Sequence, residues 1–260
     1  MQSDKRWPVA EVFGPTIQGE GLDQGAPCHF IRFGGCDYKC GWCDSPFAVL
    51  PEEVRKAERL NADEIMERVS ALGSKPRWMI LSGGNPAMHD LEPLVRKLKD
   101  DGYLVATETQ GSLWKPWLGQ LNRLCISFKP PSSGMGDKST VFSAKRFLDL
   151  AKEAYRMDFA HRVFVKIVVF DSDDLEFARQ IHSLLPWNMR LYLSAGNDPG
   201  QSIAHPERED NRTVNEVRAN LLDSASVLAH AILEHPLGRA SNVFVQCQYH
   251  TLLWGNGKGF

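Results

Sequence analysis

Two periodicities alternate along this chain. Short apolar, β-branched runs read as strands at 9–13, 29–33, 78–81, 104–107, 124–127, 163–170, 190–194 and 243–246. Between most of them, apolar residues recur at the spacing of one helical face. Asn61 is followed by Glu64 in capping-box register, and Ile65, Met66, Val69 and Leu72 then share a face that Gly73 ends. Asp90 reads as the cap of the next helix, with Leu91, Leu94, Val95 and Leu98 on its face and Gly102 as its stop. Further helices are expected over 143–154, 174–185 and 213–233, while 47–60 and 197–212 are polar and read as irregular.

This alternation predicts an α/β fold, a barrel-like parallel sheet with helices outside, in one domain spanning 1–260. In such sheets ligands bind beyond the carboxyl ends of the strands. The polar and glycine-rich segments of this chain fall there. A glycine-rich cysteine loop follows 29–33, Gly83-Gly84-Asn85-Pro86 follows 78–81, and Glu108-Thr109-Gln110-Gly111 follows 104–107. Ser127-Phe128-Lys129-Pro130-Pro131 ends 124–127, and Ser194-Ala195-Gly196-Asn197-Asp198 ends 190–194. One such end would mean little; together they make a rim.

Composition narrows the class. A hydrophobic share of 43% supports a sizeable core, and 30 basic against 32 acidic residues leave a net charge of −2, with no footprint for nucleic acid. No stretch approaches the ~20 apolar residues of a membrane span. Residues 1–6 carry no apolar run after them, so no secretory signal is expected and the cytoplasm is the expected compartment.

Cys36, Cys40 and Cys43 lie in one loop, spaced C-x3-C-x2-C. Three thiolates can hold three irons of a [4Fe–4S] cubane and leave the fourth open. An open metal position is what a catalytic site needs and a structural one lacks. The same cysteines would also fit a structural zinc completed by His29 or Asp44, or buried thiols without metal. Cys28, Cys125 and Cys247 stand in apolar or strand-like surroundings and are expected to pack. Crowding of half the cysteines into one loop argues against a disulfide framework.

The cysteine spacing, Trp42 before the last cysteine and the strand before the loop resemble the radical S-adenosylmethionine (SAM) enzymes, in which SAM chelates the open iron. That resemblance implies a partial (β/α) barrel with a cluster loop at 34–46. It implies that Tyr38, Trp42, Gly83, Gly84, Asn85, Glu108, Ser127 and Lys129 bind the cofactor. Gly83 and Gly84 would hold the SAM amino group, Glu108 the ribose hydroxyls, and Ser127 with Lys129 the methionine carboxylate. Asn85 stands where the glycine motif usually carries an acidic residue. Taken singly, the glycine pair also fits an ordinary turn, and Glu108 and Lys129 also fit solvated rim charges.

The run Phe13-Gly14-Pro15-Thr16-Ile17-Gln18-Gly19-Glu20-Gly21, Arg32, the loop Cys36-Asp37-Tyr38-Lys39-Cys40-Gly41-Trp42-Cys43-Asp44-Ser45 and the tail around His250 and Trp254 resemble, over nearly the whole chain, the 7-carboxy-7-deazaguanine synthase family. The resemblance implies conversion of 6-carboxy-5,6,7,8-tetrahydropterin to 7-carboxy-7-deazaguanine and ammonia, in queuosine and related 7-deazapurine biosynthesis. A 5′-deoxyadenosyl radical would take a hydrogen atom from C6 of the pterin, ring contraction would follow, and SAM would be regenerated. Ile17, Gln18, Gly19, Glu20, Arg32, Ser82 and His250 are the implied substrate residues. Gln18 and Glu20 suit a pterin edge of donors and acceptors, and the Arg32 fork suits a carboxylate. Ser45 is the implied Mg2+ ligand, through its oxygen. No side chain is assigned as a catalytic acid or base, since the hard chemistry lies with cluster and SAM. A flavodoxin-type reductant, a homodimer and a capping tail at 247–260 are further expectations. Two rival readings are a glycyl-radical-enzyme activase, which shares the cysteine spacing, and a non-catalytic metal-bearing scaffold.

Overall fold

The computed structural model describes residues 5–260 apart from Gln201, Pro206, Glu209, Lys258 and Phe260. Residues 1–4 and those parts of the expected 197–212 loop and 247–260 tail that fall on the excepted positions lie outside the described residues. The strands are β1 (Trp7–Ile17), β2 (Pro27–Phe33), β3 (Glu58–Leu60), β4 (Trp78–Gly83), β5 (Leu104–Thr109), β6 (Arg123–Ser127), β7 (Val163–Val169), β8 (Leu191–Ala195) and β9 (Val243–Gln246). Among the described residues they form one sheet in the order β3-β1-β2-β4-β5-β6-β7-β8-β9. From β2 through β9 the neighbours run parallel, as the alternation predicts. β1 departs from that pattern. It pairs antiparallel with β2 on one side and β3 on the other, and this double pairing extends it well beyond the expected 9–13.

Period-two alternation divides the sheet into two faces. Ile31, Phe33, Met79, Leu81, Val105, Leu124, Ile126, Val165, Ile167, Leu191 and Leu193 point outward and pack with the helices in one core. Most of them are completely buried, each burial worth about 1.5–3 kcal/mol. The intervening positions point inward. Cys28, Ile80 and Ala106 form a small apolar floor with Phe30 and Trp78, and above it Arg32, Ser82, Glu108 and Lys166 face a cleft. The sheet curls far enough for its ends to meet. Gly21, just past β1, donates to Gln246 Oε1 at the end of β9 at 3.0 Å. The result is a partial (β/α) barrel with its helices outside.

The helices follow their capping signals. Asn61 accepts from Glu64 N at 3.0 Å and Glu64 accepts from Asn61 N at 2.8 Å, which starts helix Ala62–Ala71. Thr140 with Ser143 and Thr213 with Glu216 open Val141–Tyr155 and Val214–Glu234 in the same way. Asp171 caps Ser172–His182.

Two expectations are corrected. Asp90 is not the N-cap residue: Glu92–Asp100 begins after Leu91, with a proline in its first turn to set the backbone, while Asp90 accepts from Glu92 N only at a long 3.5 Å and pairs with Lys5 at 2.8 Å. The 47–60 segment is not irregular. It holds helices Pro46–Val49 and Pro51–Lys56 and strand β3. Both helices start on a proline, and both are too short for an apolar period to show.

Candidate active site

The cluster loop leaves β2 and is fixed from below by backbone bonds. Gly34 N donates to Pro8 O at 2.9 Å and Gly35 N to Ala48 O at 2.8 Å. The turn after β4 packs directly against it: Gly84 N donates to Phe33 O at 2.9 Å and Asn85 N to Gly35 O at 2.8 Å. A Cβ on Gly83 would collide with the Phe33 backbone, and one on Gly84 with the Gly35 carbonyl. Gly83 also has φ +112°, open to glycine at little cost. The glycine pair is therefore required by its contact with the cysteine loop.

Cys36, Cys40 and Cys43 all line the cleft above this turn. Gln110 Nε2 lies 3.5 Å from Cys36 Sγ and 2.6 Å from Asp37 Oδ1. Burial pushes all three thiols up, that of Cys43 to about 12. A thiolate is stable there only beside strong positive charge, which fits metal ligation. Among the described residues no three His, Cys, Asp or Glu side chains converge to grip one ion. A cubane distributes its thiolates over separate irons and needs no such convergence. His29, one proposed zinc partner, is buried beside Tyr103 Oη at 3.4 Å and does not line the cleft. The residues present fit a cluster and not a closed single-ion site.

The cofactor candidates divide. Tyr38, Trp42, Gly83, Gly84, Glu108 and Lys129 line the cleft. Trp42 packs against Phe170 with ring centroids 5.4 Å apart, and its Nε1 donates to Ser132 Oγ at 3.1 Å. Lys129 Nζ lies 5.7 Å from the Trp42 ring and donates to Ser127 Oγ at 2.9 Å. Ser127 itself is buried beneath that lysine, off the cleft wall. Asn85 is wholly buried and also off the wall, bonded to Asp37 Oδ1 at 2.8 Å.

The substrate candidates come together. Ile17, Gln18, Gly19, Glu20, Arg32, Ser82 and His250 all line the same cleft. Arg32 donates to Glu11 Oε2 at 2.9 Å, and its guanidinium lies 4.8 Å from the centroid of Phe13. Glu20 accepts from Lys166 at 2.8 Å and from Ser194 at 2.7 Å. Burial is the largest single influence and opposes the Glu20 charge, but Lys166, His250 and the Ser194 hydrogen bond together outweigh it and hold the carboxyl at about 2. Lys166 also pairs with Glu108 at 2.8 Å. His250 sits so close over Gly19 that any Cβ there would strike its ring, and Tyr249 N donates to Gly19 O at 2.9 Å. Burial lowers the His250 imidazole, so it stands neutral at neutral pH. Asp44 and Ser45 complete the edge, with Ser45 Oγ donating to Asp44 Oδ1 at 3.0 Å.

Lys166, Glu11 and Gln110 were not singled out from the sequence. Lys166 had a signal: one cation inside the otherwise apolar run Val163-Phe164-Val165-Lys166-Ile167-Val168-Val169. Gln110 lay in the polar segment after β5 already read as part of the rim, and Glu11 had no signal. Of the packing cysteines, Cys28 and Cys125 are buried and Cys247 is half-buried.

A loop of three cysteines beside a polar rim in one cleft is the arrangement a radical SAM enzyme would need. No family model matches the chain. It is 35% identical over 254 residues to the 7-carboxy-7-deazaguanine synthase of Bacillus subtilis (strain 168), covering 97% of this chain and 98% of that protein. The Bacillus cereus enzyme of the same name is 36% identical over 256 residues, with the same coverage. The crystal structure of QueE from Escherichia coli shares the fold, at TM-score 0.58 and 20% identity over 94% of this chain and 96% of that one. The chain belongs to the 7-carboxy-7-deazaguanine synthase family.

Proposed function

We propose that this chain converts 6-carboxy-5,6,7,8-tetrahydropterin to 7-carboxy-7-deazaguanine and ammonia, by hydrogen abstraction and ring contraction, as one domain over 1–260 with a cluster loop at 34–46 and a capping tail at 247–260. The observation that carries this is one cleft lined both by the three cysteines and by Gln18, Glu20, Arg32 and His250. When bound, the cluster on Cys36, Cys40 and Cys43 and its SAM supply the one-electron chemistry that starts the reaction.

The protein's part is recognition and exclusion of water. Glu20 accepts from the N–H edge of the pterin, and Gln18 both donates and accepts. Arg32, steadied by Glu11 and its aromatic neighbours, takes the substrate carboxylate. Lys129, supported by Ser127, faces the carboxylate of SAM, and Trp42 with Phe170 offers it an aromatic wall. His250, neutral and packed on Gly19, covers the cleft. Asp44 and Ser45 offer the oxygen ligands Mg2+ prefers. A flavodoxin-type reductant, a homodimer and a cytoplasmic setting complete the reading. Among the described residues no helix is long and apolar enough to cross a membrane.

The test is anaerobic. Purified protein should contain iron and sulfide, and incubation with SAM, reductant and the carboxytetrahydropterin should release 7-carboxy-7-deazaguanine, identified by mass. SAM cleavage without that product would favour the activase, which has no use for the Gln18, Glu20 and Arg32 set. Iron-free protein would favour the scaffold.

A further inference from the structure

Lys166 lies mid-strand in β7 and is 4% exposed. Its neighbours Val165 and Ile167 face the outer core, so the lysine faces inward. A cation buried there is costly unless paired, and this one is paired twice, to Glu20 Oε2 and Glu108 Oε1, each at 2.8 Å. The two carboxylates come from different elements, the loop after β1 and the end of β5. Ser194 on β8 holds the second oxygen of Glu20.

We propose that Lys166 is a positioning residue for substrate recognition: it joins Glu20 and Glu108 into a bridged pair that carries one net negative charge and holds the Glu20 carboxylate as a fixed acceptor for the N–H edge of the pterin ring. This rests on the reading of Glu20 as the acceptor for the pterin. Two unbridged carboxylates would repel each other and attract a cation instead. With Lys166 in place, Glu20 stays ionised throughout the neutral range. Without it, burial is the largest influence left on Glu20 and favours the protonated form. A protonated carboxyl turns a donor toward the substrate's donors.

The titratable and charged groups around the pair are Cys125 beside Lys166, His250 and Cys247 beside Glu20, Lys129 beside Cys125, and Asp44 and Arg32 beside His250. His250 has to be separated from Glu20 in any pH profile. The experiment measures equilibrium binding of the carboxytetrahydropterin to reconstituted, SAM-loaded enzyme without reductant, from neutral to mildly acid pH. Lys166→Met should bind more weakly than wild type and lose about tenfold in affinity per pH unit below a new pKa absent from wild type. Adding Glu20→Gln to Lys166→Met should abolish that limb. A wild-type affinity and pH profile in Lys166→Met would overturn the proposal, leaving the lysine as packing. A limb that persists in the Glu20→Gln background would also overturn it, by placing the titration at His250. If Lys166→Met fails to fold or to hold its cluster chromophore, Lys166→Met with Glu108→Gln buries one carboxylate fewer and allows the same comparison. Failure of the wild-type enzyme to bind the pterin at all would defeat the functional reading itself.

Discussion

Asn85 donates from Nδ2 to Asp37 Oδ1 at 2.8 Å, tying the turn after β4 to the cluster loop. Its side chain is fully engaged otherwise: Nδ2 reaches Ser112 Oγ at 3.2 Å, and Oδ1 accepts from Thr109 Oγ1 at 2.8 Å and from Ala87 N at 3.2 Å. Gln110 donates to the same Asp37 oxygen at 2.6 Å. Two amides thus hold one carboxylate, and an acidic residue at position 85 would face Asp37 with like charge. Asn85→Ala should lower stability by about 1–3 kcal/mol. Asn85→Asp should lower it further and weaken iron retention. Melting temperature and iron content check both; an unchanged pair of values for Asn85→Asp would count against the clamp.

Cys36→Ala, Cys40→Ala and Cys43→Ala should each abolish the brown chromophore and SAM cleavage, because each removes a ligand from the same loop. Cys28→Ala, Cys125→Ala and Cys247→Ala should keep the chromophore. Absorbance and iron analysis of anaerobic preparations decide between the sets. A full cluster in Cys40→Ala would sink the assignment.

Arg32→Ala should weaken substrate binding far more than SAM binding, by about 2–5 kcal/mol for a buried charged partner of a carboxylate. It would also strand Glu11, its partner at 2.9 Å. Arg32→Lys keeps the charge but loses the fork and its stacking on Phe13, so rescue should be partial. Equal loss of both affinities would indicate general disruption.

Removal of Mg2+ by chelation should lower turnover, and added Mg2+ should restore it. Ser45→Ala should blunt the response, because Asp44 alone then faces the ion. Equal rates in stripped and supplemented buffer would end the catalytic role proposed for the ion.

Truncation after Gly255 should lower turnover and raise the yield of 5′-deoxyadenosine without product. Asn256 is the reason: it bonds Asp210 Oδ2 at 2.7 Å, the Asp198 carbonyl at 3.3 Å and Asn197 Nδ2 at 3.0 Å. Those contacts fasten the end of helix Tyr249–Trp254, which carries His250 into the cleft. Wild-type coupling in the truncated enzyme would reduce the segment to packing.

Much of this was legible in the chain. Capping is local, so Asn61 with Glu64 reads directly from sequence spacing. The cysteine loop stood out because a metal site would restrict both residue type and spacing, and its three cysteines do line one cleft. Glu11 was not legible, since what makes it matter is cross-strand proximity to Arg32, which a linear pattern does not encode. Ser127 and Asn85 lie at the expected strand ends but do not reach the cleft wall, Ser127 being covered by Lys129 and Asn85 bound behind the turn, because a strand end fixes a position along the rim and not which side chain reaches past it. Lys166 reads as a strand interruption until Glu20 and Glu108 are seen beside it.

Glu20 and Lys166 are 146 positions apart in the chain, and His250 lies further still. The three cysteines, by contrast, all lie within the first fifth of this sequence. During translation the cysteine loop is therefore exposed before the walls that enclose it exist. Contacts this distant in sequence form late and slowly. A cluster on that loop would have an open window for delivery while the chain is still growing, and that window would narrow once His250 settles on Gly19.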